Sequence, residues 1–138
     1  MRAFQICALI FTVLTQCMGD LDETGQALRA SVYKCATGYG LSRETARYIV
    51  SHNFTLPNEK DENQRCFIQC FFQEMGVLSS DSIFDVDHAT ESAEKWLQLQ
   101  GRTKNNLKEA MAECAKLAGT GTCMTNYLIL KCAIKAAE

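Results

Sequence analysis

Six cysteines, Cys35, Cys66, Cys70, Cys114, Cys123 and Cys132, constrain this chain more than any other feature. Their spacing is C-x30-C-x3-C-x43-C-x8-C-x8-C. The chain opens with the parts of a secretory leader: Arg2, an apolar run from Ala3 to Thr15, then the small residues Cys17 and Gly19. The pattern predicts cleavage after Gly19. That removes residues 1–19 with Cys7 and Cys17, and leaves six cysteines in a domain spanning 20–138. An even set in a small exported domain reads as a disulfide framework. The apolar run falls short of the about 20 residues a bilayer requires, so no stable membrane insertion is expected.

The 119 residues that remain suffice for one domain with one modest core. They carry 13 basic residues against 16 acidic, a net charge of −3 with no basic run or face. That balance argues against nucleic acid and against anionic membranes as partners. The localisation expected is secreted and extracellular.

Helical periodicity dominates the chain, and no segment alternates with period two. Leu21, Leu28, Val32 and Cys35 mark a first helix ending near Gly38. Ser42 caps a second, with Ala46, Ile49 and Val50 inward, until Asn53 to Pro57 breaks it. A third runs from Glu62 to Met75 and stops at Gly76. A fourth covers Asp87 to Leu99 with Ala89, Ala93, Trp96 and Leu97 on its inner face. The fifth carries Leu107, Met111, Cys114 and Ala118, closed by Gly119 and Gly121. The sixth spans Thr122 to Ala136. The fold class is therefore all-α, a compact bundle of about six helices.

Cys66 and Cys70, four apart, share one face of the third helix. Cys123 and Cys132, nine apart, are separated by about 900° of rotation and face opposite ways. Of the 15 pairings open to six cysteines, one that staples other helices to the third and sixth fits this placement best. A zinc site needs free thiolates in tighter ligand pairs, so no metal is expected.

The x3 and x8 cysteine gaps, the first cysteine in helix one, and the stretch RCFIQCFFQEMGVL followed by IFDVD carry a resemblance. Over its whole mature region the chain resembles the six-cysteine insect odorant-binding proteins, the pheromone and general odorant-binding family. The resemblance implies a helical bundle around an apolar cavity, interlocked first to third, second to fifth and fourth to sixth. Here those are Cys35–Cys70, Cys66–Cys123 and Cys114–Cys132, in agreement with the helix placement. The six residues after Cys132 are fewer than the long C-terminal segment of some members. Ser82 stands where many members have glycine.

The implied function is a carrier that holds a small apolar ligand, an odorant or pheromone, and delivers it towards a membrane odorant receptor. Periodicity makes Ile68, Phe72 and Met75 one wall of the site. Facing them are Leu28 and Val32, Met111 and Ala115, and Ile129 and Ala133, with Phe54 over an entrance. The resemblance itself implies cavity positions at Leu28, Ile68, Phe72, Met111 and Ala133. Such stripes are more often plain core. Gln69, Gln73, Thr125 and Tyr127 could serve a ligand's head group, and His52 is the first candidate for a pH-dependent release.

No catalytic residue is assigned. The mature chain has two histidines, no G-x-S-x-G elbow and no calcium-loop pattern, so neither an enzyme nor a cofactor is expected. Asn53-Phe54-Thr55 is a glycosylation sequon. Two other functions stay open: a non-olfactory carrier of a hormone, lipid or amine, and a disulfide-stapled protein with a filled core acting through its surface. Monomer and homodimer are equally compatible with the sequence.

Overall fold

A computed structural model describes residues 22–121 and 123–138. The expected leader, together with Asp20, Leu21 and Thr122, lies outside the described residues. Six helices follow in order: α1 Asp22–Gly38, α2 Arg43–Ser51, α3 Glu62–Glu74, α4 Val86–Leu99, α5 Leu107–Cys114 and α6 Met124–Ala136. α3 packs between α1 and α6, α5 packs between α4 and α6, and α2 leans on α1.

Local chemistry sets most of the helix ends. Ser42 accepts the Thr45 N–H, Asp61 the Asn63 N–H and Asp85 the His88 N–H, each supplying an orphan donor with a side-chain oxygen. α3 stops where Gly76 turns at φ 82°, and a Cβ there would meet the His88 ring at 3.2 Å. Gln64 and Arg65 are buried in the first turn of α3 because they reach back to the preceding loop. Gln64 accepts the Asn58 N–H, and Arg65 Nη1 donates to the Glu59 carbonyl.

The fifth helix is shorter than its stripe predicts. α5 ends at Cys114, and Ala118 is exposed. The chain instead crosses closely over the start of α6, where a Cβ on Gly119 would lie 2.4 Å from Met124 Cγ. Thr125 holds the crossing: its Oγ1 accepts the Gly119 N–H, and its hydroxyl donates to the Gly119 carbonyl. Cys123 has φ 63°, so α6 begins after it, at Met124.

Three disulfides lock the arrangement: Cys35–Cys70 ties α1 to α3, Cys66–Cys123 ties α3 to the entry of α6, and Cys114–Cys132 ties α5 to α6. This is the expected set. The core they enclose centres on Ala46, Ile49, Phe67, Ile68, Leu78, Leu97 and Leu130, all buried. Between α3 and α4 the chain folds on itself through a single bridge, Leu78 to Phe84. Ser82 sits at φ 62° in that turn, the conformation a glycine adopts without strain. Gln73 donates to the Ser79 and Ser80 carbonyls, and Asn126 donates both to Gln69 and to the Ser82 carbonyl. The turn is thereby tied to α3 and α6.

Candidate ligand-binding cavity

α3 changes character along its length. From Gln64 to Ile68 five consecutive residues are buried, whereas past Cys70 only Phe71 is buried and Phe72, Gln73 and Glu74 are partly or fully exposed. Phe71 and Phe72 are adjacent, so their side chains diverge by about 100° around the helix. They meet edge to face with ring centroids 5.3 Å apart. Phe54 closes over both, 5.3 Å from Phe71 and 4.8 Å from Phe72. It is brought there by two consecutive left-handed residues, Asn53 at φ 55° and Phe54 at φ 60°. Its backbone N–H donates to the Ile49 carbonyl at 2.8 Å, which fixes the reversal at the end of α2. For a bulky residue this conformation is uncommon and costs about 1–3 kcal/mol.

Opposite these rings the other helices offer small side chains. α4 presents Ala89, Ser92, Ala93 and Trp96, spaced i, i+3, i+4, i+7, and α6 presents Leu130, Ala133 and Ile134, with Ala137 just past its end. Alanines facing phenylalanines leave the space unfilled. The result is a cavity of about 320 Å³, open on one side, completed by Leu28, Met75, Val77 and Met111. That lies at the small end of the about 300–1,000 Å³ usual for ligand pockets. Its polar wall residues are Asn53, Ser92 and Glu138. Asn53 Nδ2 donates to Glu138 Oε1 at 3.4 Å, and Arg102 Nη2 donates to the Glu138 carbonyl.

Six of the expected ligand residues come together on this wall: Leu28, Phe54, Phe72, Met75, Met111 and Ala133. Four lie off it. Val32 and Ile68 are buried in the packed core, one turn along their helices from Leu28 and Phe72. Ile129 is buried one residue before Leu130, which takes the wall position on α6. Ala115 follows Met111 by one turn but falls just beyond the end of α5. The largest omission of sequence reasoning is α4. Its stripe of Ala89, Ala93 and Trp96 is visible in the sequence, and only the small size of the two alanines hints at a hole rather than core.

The polar side chains considered for a head group are committed elsewhere. Gln69, Gln73 and Thr125 hold the turns described above. Tyr127 is buried beside the Glu59–Lys131 ion pair, which closes at 2.9 Å. Burial pushes the Tyr127 phenol up, and the neighbouring Glu59 carboxylate adds to that shift. The hydrogen bond from Lys131 holds the Glu59 carboxyl below the usual range. His52 stacks on Tyr48 at 3.9 Å, with Nδ1 2.8 Å from the Tyr48 carbonyl.

An apolar hole in a three-disulfide helical bundle accords with one comparison in particular. Residues 19–136 match the PBP/GOBP family. The chain belongs to this family. A similar relative is general odorant-binding protein 56a of Drosophila melanogaster, 25% identical over 136 residues that cover 96% of this chain and 91% of the relative. No solved structure matches the chain significantly. PBP/GOBP proteins are carriers rather than enzymes, and they are secreted. No described helix is long and apolar enough to cross a membrane.

Proposed function

We propose that this chain is a secreted carrier that takes up a small hydrophobic odorant or pheromone in the cavity beneath Phe54 and carries it through extracellular fluid to membrane odorant receptors. The observation that carries this reading is the apolar cavity of about 320 Å³ in a chain of the PBP/GOBP family. Its wall supplies dispersion contacts from aromatic and aliphatic side chains. Met75 and Met111 let it adapt to ligands of several shapes. A ligand's polar head group would meet Asn53, Ser92 or Glu138. The ligand-binding residues proposed are Leu28, Phe54, Phe72, Met75, Met111 and Ala133, with Trp96 and Ala93 added from α4.

The test is titration of the oxidised domain with an environment-sensitive apolar fluorophore, followed by displacement with long-chain alcohols, esters and terpenoids. Saturation near one probe per chain and displacement in the micromolar range, about −8 kcal/mol, is the expected result. A folded domain that binds no probe would leave action through the surface as the better reading.

A further inference from the structure

One motif is left over from the carrier function. Asn53-Phe54-Thr55 is the sole N-x-Ser/Thr triplet in the chain. We propose that Asn53 is an N-glycan acceptor, and that its glycan stands at the mouth of the ligand cavity. The proposal rests on the exported-carrier reading, because glycan transfer takes place in the secretory lumen.

Four observations converge on it. Asn53 and Thr55 are both exposed, so a sugar on the folded domain needs no rearrangement of the core. Asn53 occupies the reversal after α2 at φ 55°, a conformation asparagine tolerates better than most residues. Its amide makes a hydrogen bond to Glu138 Oε1 at 3.4 Å, the long end of the range, so little is lost by modifying it. Finally, every described cysteine is in a disulfide, which suits a chain that matures in an oxidising compartment.

The chemistry is a transfer from a lipid-pyrophosphate-linked oligosaccharide. Asn53 Nδ2 forms a bond to the anomeric carbon, and the bond from that carbon to the pyrophosphate oxygen breaks. The lipid pyrophosphate departs with the electron pair, and Nδ2 gives up one of its two protons. The proton that stays can still donate to Glu138.

The location gives the modification a consequence. Asn53 is itself part of the cavity wall, and the next residue is the Phe54 ring that covers Phe71 and Phe72. A glycan there screens the opening without entering the apolar interior. It therefore slows ligand entry and exit.

The experiment is secretion of the full chain from insect cells, with intact mass measured before and after peptide-N-glycosidase treatment. The expected result is a glycosidase-sensitive mass increment that is lost in both Asn53→Gln and Thr55→Ala. Thr55→Ala keeps the native asparagine at its left-handed position and so guards against misfolding of the first variant. Secreted protein of bare polypeptide mass, or an increment that persists in Thr55→Ala, overturns the proposal. Retention of the chain inside the cell contradicts the export reading instead, and a version with a foreign leader in place of residues 1–19 then tests the acceptor by itself. For the screening role, stopped-flow mixing with an apolar fluorophore should show several-fold faster association in unglycosylated Thr55→Ala, which keeps the native asparagine, than in the glycosylated parent. An unchanged association rate overturns that role.

Discussion

The two halves of α3 have nearly the same apolar character and opposite fates. In the first, Cys66, Phe67 and Ile68 are enclosed by α1, α6 and the disulfide to Cys123, and Phe67 has no exposed surface at all. In the second, Phe71 and Phe72 face a cavity together with Met75, just past the helix end and 42% exposed. The difference does not arise in α3. It arises in what stands opposite: the first half meets side chains that fill the gap, whereas the second meets Ala89, Ala93, Ala133 and Ala137. The disulfides at Cys66 and Cys70 tie α3 to the entry of α6 and to α1, whereas no disulfide reaches α4, which carries two of these alanines. A carrier made this way keeps its stability in one half and its vacancy in the other.

The comparison can be broken most sharply by truncating one ring in each half. Phe67→Ala should destabilise the domain by about 3–5 kcal/mol, the range for a fully buried aromatic. Phe72→Ala should lower stability distinctly less, because it enlarges a hole already present, and should weaken apolar-probe binding more. Urea unfolding midpoints and probe titrations of the two variants decide it, and a reversed order would refute the division of α3. Next in size is the staple itself. Replacing Cys66 and Cys123 together by alanine should remove about 2–4 kcal/mol, read as a lowered thermal midpoint.

A substitution that fills the vacancy sharpens the contrast from the other side. Ala93→Leu should reduce probe affinity by about tenfold or more, equivalent to about 1.4 kcal/mol. Its effect on stability should be smaller than that of Phe67→Ala, because the added carbons enter open space rather than packed core. Equal affinity in Ala93→Leu and the parent would place the ligand elsewhere.

How much of this division was legible in the sequence follows from its cause. Ser42, Asp61 and Gly76 announce helix ends through local chemistry, and the cysteine spacing carries both family and pairing. The stripe on α3 was also legible, yet Ile68 and Phe72 belong to the same stripe and only Phe72 reaches the cavity. Periodicity identifies the face of a helix, but a cavity is defined by residues far away in the chain. For the same reason the stripe on α4 identifies an inner face and does not by itself mark a cavity wall. The early end of α5 was hidden because it depends on the close crossing of Gly119 over Met124, a tertiary contact with no local signal.

The smallest expected effects lie in surface ion pairs. Lys34–Glu74 bridges α1 and α3 at 3.1 Å with Lys34 well exposed, so Lys34→Ala should change stability by less than about 1 kcal/mol. Glu59 has a lowered pKa through Lys131, so its contribution is present at neutral pH and is lost as pH falls through the folded-state value. Glu59→Gln should accordingly flatten the acid side of the stability profile slightly, measured by thermal melts between pH 7 and pH 3. A stronger effect there than from Ala93→Leu or the disulfide would mean that electrostatics outweigh packing in this bundle.

The central claim is that the space bounded by the second half of α3 holds a ligand, and the protein carries its own reporter. Trp96, the single tryptophan of the chain, lines that cavity from α4. Titration of the oxidised domain with a long-chain aliphatic alcohol, followed by tryptophan emission, should give a saturable blue shift at one ligand per chain, with micromolar affinity that Ala93→Leu weakens. Emission that stays unchanged in a folded domain, while an apolar probe still binds, would place the ligand elsewhere and contradict the account.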